Sequence, residues 1–514
     1  MRITRGTLVL IAAVIGVGAA APAICASAFH FRLMAEESLA RGKYEEAARF
    51  FREEARDYYR RGYPNEGKVE AMKAERWGTE MGLYVNAQPD REYLQAHYTG
   101  AKYEPLYGCY LGAYALTDYD LPSMRDDKGK RLPAEVVFGK VVGKPLATAF
   151  DYCRYGDRFP VNWSKDLISR GIAPHIALEP NDGLQYVKDN EYLRQFARDA
   201  ASCGGPIFLR FASEMNGNWT AYHANPGLYR AKFRLMHDVM RQLAPNVAMM
   251  WCVYQMPEYN IDSYYPGDAY VDWVGINIYS VLHHDGDLSC PSEWESPASM
   301  LKYVYSKYAS RKPIAICEYA ATHAESLSPG TDYSYYANTK LAQMFTMLPR
   351  EFPRVKLIDI FDCNNIKYSR AGRRINDYAV TDNQWVLNEF RSLISSGYYL
   401  SHIVAWSQSD LPTQVRPLKD GADVAGIIRL SAWVKTYEDR PFVVYTIDGR
   451  RVAQFGDAPA GYRVEIDTSK YGRGRHVIAV EAYDGRGHMA GRKTAVVYFN
   501  PAARDSVYAM NTVR

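Results

Sequence analysis

The stretch "GGPIFLRFASEMNGNW", residues 204 to 219, runs an apolar strand into a carboxylate and then into a cluster of Asn, Gly and Trp. "PIFLRFASE" (206–214) is one of eight short apolar runs of strand character, separated by helical stretches. The others are "LYGCYLGAY" (106–114), "PLATAFDY" (145–152), "IAPHIALEP" (172–180), "VAMMWCVYQ" (247–255), "VDWVGINIY" (271–279), "PIAICEYAA" (313–321) and "VKLIDIFDC" (355–363). Between them lie helix-like segments such as "NEYLRQFARDAAS", "PGLYRAKFRLMHDVMRQLA" and "YYANTKLAQMFTML". Eight strands within roughly 260 residues is the size of a (β/α)₈ TIM barrel. The rival, a doubly wound open sheet, calls for a Gly-rich phosphate loop after its first strand, and the sequence offers none.

A barrel of this kind carries its chemistry at the C-terminal ends of its strands. On this reading Glu214 ends the fourth strand and Glu318 the seventh. A charged group after "PIFLRF" or "PIAIC" belongs in the mouth of the barrel rather than in its core. Two carboxylates facing each other across the mouth meet the need of a retaining glycosidase, whose carboxyl groups stand about 5 Å apart. Arg210, four residues before Glu214, shares its strand face and is expected beneath the carboxylates; a structural salt bridge is its bland alternative.

"FLRFASEMNGNW" resembles the acid/base strand of glycoside hydrolase family 26, (β/α)₈ retaining enzymes of clan A that include β-mannanases. "PIAICEYAAT" resembles the family's nucleophile strand, and "VDWVGINIYS" and "IDIFDCNN" extend the likeness over residues 104 to 397. The resemblance implies that Glu214 is the general acid and base and Glu318 the nucleophile, acting on a β-linked polysaccharide with no cofactor. It implies that Tyr279 hydrogen-bonds the nucleophile. One position departs from the pattern: many members carry His immediately before the acid/base, and here it is Ser213. That change bears on the substrate more than on the chemistry.

Trp219 and Tyr222 follow the acid/base on its loop, where an aromatic face can stack on a pyranose. Asn216 and Asn218 either bond sugar hydroxyls or shape the turn. Asp151, Glu179 and Tyr254 also end strands and are candidate subsite residues, with helix capping as the plain alternative. His223, His283 and His284 lack a metal-type spacing, and no metal is expected.

Around the barrel (91–398) the chain changes character. Residues 1–28 combine Arg2 and Arg5 with an apolar run and small residues at Ala26 and Ala28, the order of an export signal; an uncleaved membrane anchor is the competing reading. The expected location is therefore periplasmic or extracellular. Residues 29–90 read as an α-helical segment of three helices, and "GKYEEAARFF" resembles a single tetratricopeptide unit. This segment is either a cap or, through residues 29–85, a docking surface for an envelope protein. After a connector (399–415), residues 416–501 alternate apolar and polar positions around Asp-Gly and Gly-Arg-Gly turns. They read as an all-β sandwich resembling the immunoglobulin-like modules of secreted glycosidases, expected to pack on the barrel and followed by a tail (502–514).

Composition narrows the function classes. A net charge of +4 with no basic block gives no argument for nucleic acid. Forty-two Tyr and nine Trp suit a protein that offers flat faces to a polar ligand. Of eight Cys, Cys25 lies in the leader and the other seven lack paired spacing, so buried thiols are expected rather than a disulfide framework. Two alternatives to the glycanase stay open: a non-catalytic glycan-binding barrel, and a polysaccharide-trimming subunit of an envelope exopolysaccharide assembly.

Overall fold

The structure is a computed structural model that describes residues 28–404, 413–456 and 461–501. Residues 1–27 of the leader, residues 405–412 of the predicted connector and the tail lie outside the described residues. The chain divides into two compact units with the boundary between Ala74 and Glu75.

The first unit holds α1 (Ala28–Ala40), α2 (Tyr44–Arg60) and the greater part of α3 (Pro64–Trp77). The turn between α1 and α2 is made by Gly42 at φ +70°, a conformation that glycine adopts without steric cost. Ala35, Ala47, Ala48 and Ala55 are buried, and small residues of this kind let two helices approach closely. Arg32 ties the helices together, donating through Nε to Glu54 at 2.9 Å and through Nη2 to Glu70 at 3.1 Å. Among the described residues no helix is long and apolar enough to cross a membrane.

The second unit contains the barrel. Its strands are β2 (Cys109–Tyr114), β3 (Thr148–Arg154), β4 (Ala173–Glu179), β5 (Ile207–Phe211), β6 (Val247–Tyr254), β7 (Trp273–Ser280), β8 (Ile314–Ala321) and β9 (Val355–Phe361). Each pairs in parallel with the next, and β9 pairs with β2 to close the cylinder. Six fall within the runs read from the sequence, while β3 extends two residues and β7 one residue past the end of its run. Side chains alternate: Phe208 and Arg210 of β5 point to the axis, while Ile207, Leu209 and Phe211 pack under the helices. The interior is filled, with Tyr110, Phe208, Met250, Trp273 and Leu357 stacked in its lower part.

Two strand-end readings are corrected. β5 stops at Phe211, so Glu214 lies three residues beyond it, in a turn with Ala212 at φ +50° and Glu214 at φ +58°. β8 runs on to Ala321, so Glu318 lies inside a strand.

The reading of residues 29–90 as wholly helical also changes. Residues Glu80–Ala87 form strand β1, whose apolar residues Leu83 and Val85 alternate into a core. That core belongs to the C-terminal β region. Its strands are β10 (Gln414–Pro417), β11 (Ala422–Val424), β12 (Ile427–Lys435), β13 (Phe442–Ile447), β14 (Arg450–Phe455), β15 (Val464–Asp467), β16 (Gly474–Tyr483) and β17 (Met489–Phe499). They form two sheets, ordered β10-β1-β12-β15 and β11-β17-β16-β13-β14, around one apolar cluster. The sandwich is therefore built from chain on both sides of the barrel, with β1 antiparallel to β10 and β12.

The sandwich packs on the barrel. Tyr84 and Trp433 enter the apolar cluster of the barrel's outer layer, Arg350 donates to Ser431 Oγ at 3.2 Å, and Tyr84 bonds Glu351. All seven cysteines in the described residues are free, and only Cys290 is exposed.

Candidate active site

Six strands, β3 to β8, bring polar groups to the C-terminal mouth of the barrel. On β5, Arg210 is fully buried, with its guanidinium 4.4 Å from the centre of the Phe150 ring. Its Nη2 reaches Glu318 Oε1 at 2.5 Å and its Nη1 reaches Asn277 Oδ1 at 3.2 Å. Tyr152 donates its hydroxyl to the same Glu318 oxygen at 2.8 Å, and Tyr279 donates to the other, Oε2. Glu318 is thus held by one cation and two hydroxyls.

Glu214 has a different environment. Asn277 Nδ2 donates to its Oε1 and Trp219 Nε1 to its Oε2, each at 2.7 Å. These bonds favour the anion, but burial and then the charge of Glu318 outweigh them and push Glu214 up to about 7. One carboxyl is set to hold a proton near neutral pH beside another anchored to an arginine. Asn277 joins them, bonded to Glu214 on one side and to Arg210 on the other.

Glu179 ends β4 on the inner face. It accepts from Tyr222 Oη and from the Ser213 backbone N–H at 3.2 Å, and Tyr222 also donates to the Ser213 carbonyl at 2.8 Å. Burial raises its pKa, against Arg210 and these donors. The Ser213 side chain is buried with its Oγ unbonded, so the polar contacts around this position come from Glu179 and Tyr222. Tyr254 ends β6 and meets Trp219 edge to face, ring centres 5.1 Å apart. Trp219 remains 46% exposed, leaving indole surface free at the mouth.

Two predicted subsite residues take other roles. Asp151 follows Phe150 and precedes Tyr152, both of which face the axis, so the period-two alternation turns it outward, where its charge acts on buried Glu135. The Asn216 amide is used inside the protein: it donates to the carbonyls of Tyr254 (2.9 Å) and Pro257 (3.1 Å) and accepts from Tyr254 N–H at 2.9 Å. It shapes the loop that carries Glu214.

Residues 159–288, which contain β4 to β7 and Glu214, match the profile of glycosyl hydrolase family 26. Over these residues the barrel is similar to that family. The chain is 30% identical over 187 residues to endoglucanase H of Acetivibrio thermocellus, covering 31% of this chain and 20% of that protein. It is 26% identical over 116 residues to beta-1,3-xylanase TXYA of a Vibrio species, covering 20% of this chain and 24% of that one. The chain spans about a fifth to a quarter of the length of the curated relatives it matches. Among solved structures, a family 26 β-mannanase from Bacteroides ovatus aligns with a TM-score of 0.41 and 14% identity, over 62% of this chain and 95% of that chain.

Sequence reading missed Tyr152 and Asn277 in this site. Both had a signal: Tyr152 lies two residues after inward Phe150 on β3, and Asn277 two before Tyr279 on β7.

Proposed function

We propose that the barrel is an exported retaining endo-β-glycanase that hydrolyses β-linked polysaccharide, of mannan or exopolysaccharide type, by double displacement. The observation that carries this reading is the contrast between the two glutamates: Glu214 raised to about 7, Glu318 clamped by Arg210, Tyr152 and Tyr279. The endoglucanase and β-1,3-xylanase names of the relatives support a β-glycan as substrate.

In the first half, Glu318 attacks the anomeric carbon while Glu214 gives its proton to the departing glycosidic oxygen. The product is a glycosyl ester on Glu318, which removes the negative charge that raised Glu214. Glu214, now ionised, takes a proton from water as the water oxygen attacks the anomeric carbon and the ester bond breaks. Glu318 leaves as a carboxylate, again bonded by Arg210 and the two tyrosines. Trp219 offers a stacking face beside the acid/base.

The test is hydrolysis of mannan, glucomannan, mixed-linkage glucan, β-1,3-xylan and the host exopolysaccharide by wild type, Glu214→Gln and Glu318→Gln, with the anomer of the first product read by NMR. Retention, and loss of about 10²-fold or more in Glu214→Gln, is expected. A wild type that binds one of these polymers and cuts none favours the glycan-binding barrel instead.

A trimming subunit of an envelope assembly is the second reading. It is favoured by Phe29 and Leu33, both exposed and one helical turn apart on α1. Deleting residues 28–74, which leaves β1 in place, should then release the enzyme from its envelope partner without loss of hydrolysis.

A further inference from the structure

Where the sandwich meets the foot of the barrel there is a cavity of about 630 Å³, within the range of ligand-binding pockets. Its walls come from three regions: Tyr107 just before β2, Arg350 and Ser396 near the N-terminal ends of the barrel strands, and β1, β12 and β15 of the sandwich. It therefore lies at the opposite end of the barrel from Glu214 and Glu318.

The cavity is lined by three arginines, Arg350, Arg429 and Arg463, and by one carboxylate, Glu465. Glu465 is already engaged, its Oε1 lying 2.5 Å from Arg429 Nε. Arg350 is only 5% exposed, yet its hydrogen bonds go to neutral oxygens, the Thr346 carbonyl at 2.6 Å and Ser431 Oγ at 3.2 Å. The adjacent Glu351 turns its carboxylate to Tyr84. Arg463 makes no hydrogen bond or ion pair among the described residues. A side chain at Gly461, φ +86°, would meet Arg350 Nη2 at 2.8 Å, so glycine keeps that edge of the guanidinium clear. Burial, then the like charge of Arg463, lowers Arg350 to about 10. A buried cation with a second cation beside it and, among the described residues, no carboxylate bonded to it is unfavourable, and an entering anion relieves it.

We propose that this cavity binds an anionic saccharide, holding the carboxylate of a uronic acid residue between Arg350 and Arg463. The guanidinium forks match a planar carboxylate. The cavity is far larger than one small anion requires, and the Asn86 amide and Ser396 hydroxyl in its wall can take up ring hydroxyls. The saccharide identity rests on the glycanase reading, whereas the anion preference rests on the cavity alone. A second site of this chemistry would let the enzyme hold an acidic polymer at the foot of the barrel while the mouth cuts it.

The experiment is calorimetric titration of the full-length Glu318→Gln chain, which does not turn over, with β-1,4-linked triglucuronate, neutral cellotriose and inorganic sulfate. Triglucuronate is expected to bind more tightly than either of the others. Adding Arg463→Gln, at an exposed position, should weaken triglucuronate by about tenfold or more and leave cellotriose unchanged. Arg350→Gln, with its melting temperature monitored, should do the same. Triglucuronate affinity unaffected by Arg463→Gln, or sulfate bound as tightly as triglucuronate, would overturn the proposal. If wild type hydrolyses no glycan but Arg463-dependent triglucuronate binding persists, the glycanase reading fails and the site stands.

Discussion

Asn277 stands opposite Glu318 in the β7–β8 ladder, at the point where β8 holds one residue more than either neighbouring strand. Ile276 pairs with Ile316 and Asn277 with Glu318, and on the other edge Ile358 pairs with Ile316 and Ile360 with Tyr319. Strict alternation would turn Glu318 away from the axis, because Cys317 already faces inward against Met250. The bulge breaks the alternation and directs Cys317 and Glu318 to the same interior, a known use of bulges beside active sites.

The first prediction concerns pH. Glu214 must be protonated to act as an acid, so kcat/KM should fall as pH rises through about 7. Trp219 donates to the ionised carboxylate and lowers its pKa, so Trp219→Phe should move that alkaline limb to higher pH. The sign for stability follows from the same shift. Glu214 holds its proton in the folded state between its ordinary 4.5 and about 7, where the unfolded chain has released it, so its contribution declines across that window as pH rises. Melting curves of Glu214→Gln should vary less between pH 5 and 7.5 than those of wild type.

Tyr152→Phe removes one of the two hydroxyls on Glu318 and leaves the ring in place. A hydrogen bond to a charged group is worth about 1.5–3 kcal/mol, so kcat/KM should fall by about 10- to 100-fold. The melting temperature should change little, since Tyr152 is 43% exposed. Steady-state kinetics beside thermal denaturation separates the two effects.

The sandwich should not fold alone. A fragment of residues 413–501 lacks β1, which lies between β10 and β12 in its sheet, and would expose both of their edges. It should aggregate, and a peptide spanning residues 79–88 should restore solubility and the circular dichroism of a folded sheet. A soluble, folded fragment without the peptide would refute this.

Gly112 of β2 faces the barrel axis, where a β-carbon would lie 1.8 Å from Asp359 Oδ1 and 1.9 Å from Thr148 Oγ1. Those two groups bond each other at 2.7 Å, and Asp359 Oδ2 meets His175 Nδ1 at 2.5 Å, all fully buried. Burial opposes the charged imidazole, but Asp359 raises His175 to about 9, which makes this an ion pair beneath the site. Gly112→Ala should destabilise by about 3 kcal/mol or more, because it both overpacks the core and separates a buried pair. Denaturant unfolding of the variant measures it.

Much of this protein was legible in its sequence, for a physical reason: buried parallel strands are short, nearly continuous apolar runs, and eight of them separated by helices have one common closed solution. The same pattern placed Glu214 and Glu318 near the mouth. Three decisions belonged to the tertiary structure. Whether Asp151 or Tyr152 reaches the site depends on the phase of the alternation on β3, which is fixed by what Phe150 packs against. Whether Glu318 points inward depends on an extra residue in β8, visible only once its two neighbours are paired with it. Whether residues 80–87 are a helix end or a strand depends on β10 and β12, more than 300 residues away. Local pattern records what a segment can bury, and only the assembled chain decides what it is buried against.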